Sequence, residues 1–304
     1  MNQFYERMIC AVCGIASLSL MLSCGQHKRP VSEHGVLSVS IEPQRYLLER
    51  IAGPKWKVNT LLSRGEDPEN FDPTLADLKE MHDSRAYFKV GTMAFEDELV
   101  SRSQTSATVY DTSAGIRRLT GTHGYCANHH HADEEEHDHD HDHGHETDPH
   151  VWASLRNAKI MAANMLAAMI EIDPADSASY RRNYMALAAT LDSCDRVISS
   201  RLKPVGHATF MVWHPSLSYF AEDYRLHQLS IGMDNKEMSA TAFRDRIDHA
   251  KEQGAEVFLV QPDFDAGRSV AIASGAGARS ATVNTLSYDL PQELLRISNI
   301  ISNH

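Results

Sequence analysis

Apolar positions from residue 36 onward follow two alternating rhythms. Short runs rich in β-branched and aromatic residues, Val36–Ile41, Lys57–Leu62, Ala86–Val90 and Thr108–Asp111, read as strands. Between them, apolar residues spaced three or four apart predict helices near Arg45–Ala52, Leu75–Met81 and Glu96–Ser101. The rhythm returns later, with strands at Ala208–Trp213, Gln228–Gly232, Val257–Gln261 and Ala281–Asn284. The accompanying helices lie near Leu217–Asp223, Ala240–Gln253, Ser269–Ala276 and Pro291–Ser302. Strands alternating with helices build parallel sheets, so the expected fold is α/β, with two (βα)4-like lobes.

Between the lobes, Ser177 to about Lys203 contains no Gly or Pro, and Tyr184, Leu187, Leu191, Cys194 and Ile198 recur at helical spacing. That predicts one amphipathic helix of about 40 Å at 1.5 Å per residue, a stiff spine that limits hinging. Pro174 and Pro204 punctuate its ends. The expected division is a signal segment 1–23, a tether 24–34, a first lobe 35–176, the linking helix 177–203 and a second lobe 204–304.

The signal segment is expected because Ile9 to Leu22 is apolar or small throughout, too short to span a bilayer comfortably, and preceded by Arg7. It ends Leu22-Ser23-Cys24-Gly25, which resembles the bacterial lipoprotein signal and makes Cys24 the expected lipidation site. Cleavage there would leave Cys126 and Cys194 as the thiols of the mature chain, too few for a disulfide framework. A net charge of −12 without a basic cluster excludes a nucleic-acid backbone as partner.

The strongest chemical signal is His129 to His145, which reads HHHADEEEHDHDHDHGH: eight histidines and seven acids in seventeen residues. Such a composition cannot bury enough surface to fold alone, yet it offers imidazole and carboxylate, the donors that borderline divalent cations accept. His129, His130, His131, His137, His139, His141, His143 and His145 are therefore candidate auxiliary ligands within a loop spanning 128–146. Interchangeable His-Asp repeats give many weak sites, because each binding event must order the segment. A selective site needs donors on rigid elements.

Two histidines meet that requirement. His150, in Thr147-Asp148-Pro149-His150-Val151-Trp152, is expected to open a helix directly after the His-rich tract. His214 ends the apolar strand of Met211-Val212-Trp213-His214-Pro215-Ser216, with Pro215 expected to start the next helix. One histidine at a strand end is ordinarily a hydrogen-bonded core imidazole. Two, one in each lobe and both where α/β lobes bind ligands, point to coordination. In Gly65-Glu66-Asp67-Pro68-Glu69-Asn70-Phe71-Asp72-Pro73-Thr74, four acids in seven residues read by themselves as a solvated loop.

These segments resemble the metal-binding substrate-binding proteins of bacterial ABC transporters, of the zinc-uptake type with a His-rich loop. In that family a Gly-x-Asp-Pro-His-x-aromatic-acid-Pro-Thr loop supplies the first ligand; residues 65–74 match the frame with Glu69 in place of the histidine. The Thr-Asp-Pro-His-hydrophobic-Trp segment matches fully and implies His150 as the second ligand. The third falls on His214, followed by Tyr219, Phe220 and Gln228–Ile231, and the fourth, a carboxylate in the family, falls on Asn284 with Asp289 nearby. The resemblance covers nearly the whole mature chain. It implies a metal site in the cleft between lobes and a monomeric, lipid-anchored receptor of the cell envelope that delivers Zn2+, or Mn2+, to an ABC permease.

An envelope zinc buffer is the reading from another class, in which the loop does most of the binding. An enzyme is not expected: there is no His-Glu-x-x-His, and the His-Asp alternation lacks the His-x-His-x-Asp-His order of a binuclear hydrolase.

Overall fold

The structure, a computed structural model, describes residues 34–62, 68–120, 147–232, 239–262 and 266–303. The signal segment, Cys24, Gly65 to Asp67 and the His-rich loop, with its eight histidines, lie outside them.

In the first lobe, strands β1 (Val36–Val39), β2 (Lys57–Thr60), β3 (Ala86–Lys89) and β4 (Thr108–Asp111) alternate with helices α1 (Glu42–Ala52), α2 (Leu75–His82) and α3 (Ala94–Ser103). After the His-rich region come α4 (Leu155–Ile172) and the spine α5 (Ser177–Leu202). The second lobe contains β5 (Thr209–Val212), α6 (Ser218–Tyr224), β6 (His227–Ser230), α7 (Ala240–Glu252), β7 (Val257–Val260), α8 (Ala266–Ala276), β8 (Arg279–Thr282) and α9 (Leu290–Ser302). Each lobe has one four-stranded parallel sheet, ordered β2-β1-β3-β4 and β6-β5-β7-β8. The predicted α/β fold with two parallel-sheet lobes and a long linking helix is the observed one.

The spine is as amphipathic as its spacing predicts, burying Tyr180, Leu187, Leu191, Cys194, Ile198 and Leu202. It does not stand alone, because α1, α4 and α9 all pack against it. One apolar core consequently runs from Leu37, Val39 and Leu48 through Met165, Leu191 and Ile198 to Phe210, Leu259 and Leu294. Exposing even four such side chains would cost about 1.5–3 kcal/mol each, a sum comparable with the net stability of a whole domain. Smaller cores cover the outer faces of the sheets, around Tyr87 in the first lobe and Phe258 in the second.

Two expected helix starts move. His150 does not open α4: Pro149 O and His150 O accept from Val151 N and Ala153 N in a tight turn. The helix starts only at Leu155, where Ser154 supplies the hydroxyl that caps Asn157 N. Pro215 likewise precedes α6 rather than starting it, with Ser216 N bonded back to His214 O. Both histidines thus sit on turns, outside the helical ladder.

In a doubly wound sheet the crevice for ligands lies beyond the strand ends where the order reverses, here between β1 and β3 and between β5 and β7. The first lobe fills its crevice with its own carboxylate. Glu96, fully buried, accepts from Val90 N at 2.5 Å, Gly91 N at 2.7 Å and the Ser40 hydroxyl. Burial pushes its carboxyl above the usual range in spite of those donors. Gly91 is required there: its φ is +87°, and a Cβ would run into the Asp111 carboxylate. In the second lobe, His214 stands at the corresponding switch point, two residues past β5.

Candidate metal centre

Glu69, after β2, His150, after β4, and His214, after β5, converge. His150 Nε2 lies 3.0 Å from His214 Nε2, and Glu69 Oε1 lies 3.7 Å from the first and 3.5 Å from the second. The two rings meet edge to face with centroids 4.8 Å apart. His150 is buried, the His214 side chain is 22% exposed and that of Glu69 31%. The group is therefore covered on the His150 side and reachable by solvent through Glu69 and His214.

Asp148 decides which way His150 faces. Its Oδ1 accepts the His150 backbone N–H at 2.8 Å, an Asx turn, and lies 2.9 Å from His150 Nδ1. Burial works to raise this carboxyl, but the His150 ring, the Ser218 hydroxyl and the His150 N–H outweigh it and hold the group at about 2. An ionised Asp148 can only accept, so Nδ1 carries the proton and the Nε2 lone pair faces Glu69 and His214. A carboxylate behind a coordinating histidine also raises the ring's basicity as a donor. Trp152 lies against the ring at 5.1 Å between centroids, and its indole N–H donates to Thr285 O at 3.1 Å.

Asn284, two residues past β8, is exposed; its Oδ1 accepts Leu286 N at 3.0 Å and its backbone N–H goes to Glu293. Asp289 caps α9 through Gln292 N at 3.3 Å. Asp72, the other described acid of the first loop, is paired with Arg102 at 3.2 Å. A second gathering of metal-type donors, His34, Asp173 and Asp176, lies at the start of the spine. It already has its counter-ion, Lys55 Nζ at 2.6 Å from Asp176, and Tyr180 donates to Asp173 at 2.7 Å.

The task of Asp148 becomes visible only in the structure. The signal was there, since an Asp two residues before a candidate ligand is the Asx-turn spacing. The Tyr219 hydroxyl, which donates to Asp148 O at 3.0 Å from 71 positions away, carries no such local signal.

Two parallel-sheet lobes on a shared helical layer, with imidazoles from either side of the spine brought together, define a two-lobed binding protein. Residues 37–296 match the family model described as zinc-uptake complex component A, periplasmic, and the chain belongs to that family of metal-binding substrate-binding proteins. A putative metal-binding protein of Chlamydia trachomatis is 28% identical over 222 residues, covering 72% of this chain and 71% of the relative. The high-affinity zinc uptake system protein ZnuA of Bacillus subtilis is 27% identical over 252 residues, 80% of this chain and 76% of the relative. Among solved structures, a ZnuA deletion mutant with zinc bound aligns over 88% of this chain and 97% of that chain, with a TM-score of 0.76 and 28% identity.

Proposed function

We propose that the protein is an extracytoplasmic receptor that captures one Zn2+ between Glu69, His150 and His214 and delivers it to an ABC permease for uptake. The observation that carries this reading is the spacing of the three donor atoms. Donors placed tetrahedrally at 2.0–2.2 Å from zinc lie about 3.3–3.6 Å from one another; here the separations are 3.0, 3.5 and 3.7 Å. A fourth position remains for water or for Asn284, whose Oδ1 has a second lone pair beside the one used by Leu286 N.

Two imidazoles and one carboxylate in four-coordination suit zinc, whereas manganese asks for more oxygens. The His-rich tract and the zinc-bound relative support the same ion. Capture and release need no general base or nucleophile, so the protein acts as a transport component and not as an enzyme. A signal segment would direct the chain out of the cytoplasm, and a lipid on Cys24 would hold the receptor at the membrane, in the cell envelope, near its permease. Eight histidines in the tract favour a second reading, an envelope zinc buffer. A receptor holds one ion far more tightly than the rest, while a buffer holds several alike.

Elemental analysis of the purified mature chain before and after mild chelation, with competition titration of His150→Ala and His214→Ala, tests the reading. The expected result is one tight zinc, weakened at least tenfold by either substitution, or about 1.4 kcal/mol. Unchanged affinity in both variants overturns it, as does manganese as the tightly held ion.

A further inference from the structure

His214 and Tyr219 lie on the same short piece of chain, the exit of β5 and the first turn of α6. One offers its imidazole to the candidate metal; the other, buried, reaches across to the segment that carries His150. The Tyr219 hydroxyl donates to Asp148 O at 3.0 Å and accepts Leu119 N at 3.2 Å. Its neighbour Ser218 bonds the Asp148 carboxylate. Ser218 in turn receives Gln228 Nε2 from β6 at 2.9 Å, and Gln228 Oε1 accepts Leu217 N at 2.9 Å. Asp148 is thereby held from the second lobe at both its carbonyl and its carboxylate, and that carboxylate holds the His150 ring. The first lobe grips the same segment through Thr92, whose hydroxyl donates to Pro149 O at 2.8 Å, and through Leu119 O, which accepts Asp148 N at 2.9 Å.

We propose that Tyr219 is a positioning residue that fixes the spacing of the two facing imidazoles, by holding the His150 segment to the same turn that carries His214. The inference rests on the metal reading of Glu69, His150 and His214. Any displacement of α6 moves His214 and, through the Tyr219 hydroxyl, draws the His150 segment with it, so the 3.0 Å separation survives motion of the lobes. Removal of that hydroxyl leaves Asp148 O and Leu119 N without this partner and frees the segment to shift. Metal sites tolerate only about 0.2 Å in ligand distance, and loss of a group that orients a ligand typically weakens binding 10- to 100-fold.

The test uses the whole mature chain carrying Tyr219→Phe, which keeps the ring and deletes only the oxygen. Zinc affinity is read by chelator competition, zinc release by stopped flow, and ligand geometry by the visible spectrum of the Co2+ form. Tyr224→Phe is the control, since Tyr224 is also buried on α6 but donates to Asp195 on the spine at 2.7 Å. The expected result is at least tenfold weaker zinc, faster release and an altered Co2+ spectrum for Tyr219→Phe, with zinc affinity unchanged in Tyr224→Phe. A purely structural role would lower the melting temperature in both variants and leave affinity and spectrum untouched, which overturns the proposal. If Tyr219→Phe does not fold, Ser218→Ala is judged by the same criteria. His150→Ala and His214→Ala run alongside: tight zinc in both removes the metal reading and this inference with it. Loss of zinc there, with wild-type binding in Tyr219→Phe, removes the role of Tyr219 alone.

Discussion

His150 Nε2 and His214 Nε2 stand 3.0 Å apart although the residues are 64 positions apart in sequence. Two nitrogen lone pairs repel at that distance unless something positive lies between them, a proton or a cation. With the Nδ1 proton of His150 committed to Asp148, a zinc ion bound as proposed would separate the two nitrogens, and the Glu69 carboxylate would add the negative charge that favours it.

On the proposed reading, Glu69 acts through a coordinate bond and not merely through charge. Glu69→Gln is expected to weaken zinc at least tenfold. Asp72→Asn, which removes an exposed acid already paired with Arg102, should change affinity less than twofold. Glu69→His should keep tight zinc and lose manganese, because imidazole suits the softer ion. Competition titrations of the three variants with both metals decide the matter; equal small losses in the two neutralised forms, abolished by salt, would leave Glu69 with a charge effect alone.

Asp148 ties the site to acid stability. Its folded-state value, about 2, lies below the ordinary 3.8, so its contribution is present above pH 4 and disappears as pH falls toward 2. The difference corresponds to roughly 2 kcal/mol. Urea unfolding of the metal-free chain should show wild type losing about that much more than Asp148→Asn between pH 4 and pH 2. At neutral pH, Asp148→Asn should also bind zinc 10- to 100-fold more weakly, since an amide no longer enforces the Nδ1–H form of His150. Parallel acid profiles for the two proteins would show that the carboxylate is not held down by its neighbours.

Deletion of residues 128–145 is expected to remove weak, multiple binding and to leave one tight ion, because His-Asp repeats cannot preorganise a single geometry. Isothermal titration of the deleted chain should show a single tight phase. Disappearance of that phase would assign a principal ligand to the tract.

The sequence alone determined a good deal. Alternation of strand and helix periods encodes which face of each element is buried, a local property, so the two parallel-sheet lobes and the amphipathic spine were legible from residues such as Leu187, Leu191 and Ile198. Donor-bearing segments were legible as well, because Asp-Pro-His-Val-Trp and the Gly65 to Thr74 frame are contiguous in the chain. Tertiary structure decided the rest. Only packing shows that α1, α4 and α9 fuse the lobes into one core along α5. Only packing puts the Tyr219 hydroxyl on Asp148 O across 71 positions of sequence. The helix starts moved for a related reason: hydrogen-bonded turns at Pro149 and His214, with a serine cap at Ser154, delay both helices beyond His150 and Pro215. Periodicity specifies what each element hides; the partner it hides against, and the atoms that meet there, exist only once distant pieces of chain have been brought within hydrogen-bonding distance.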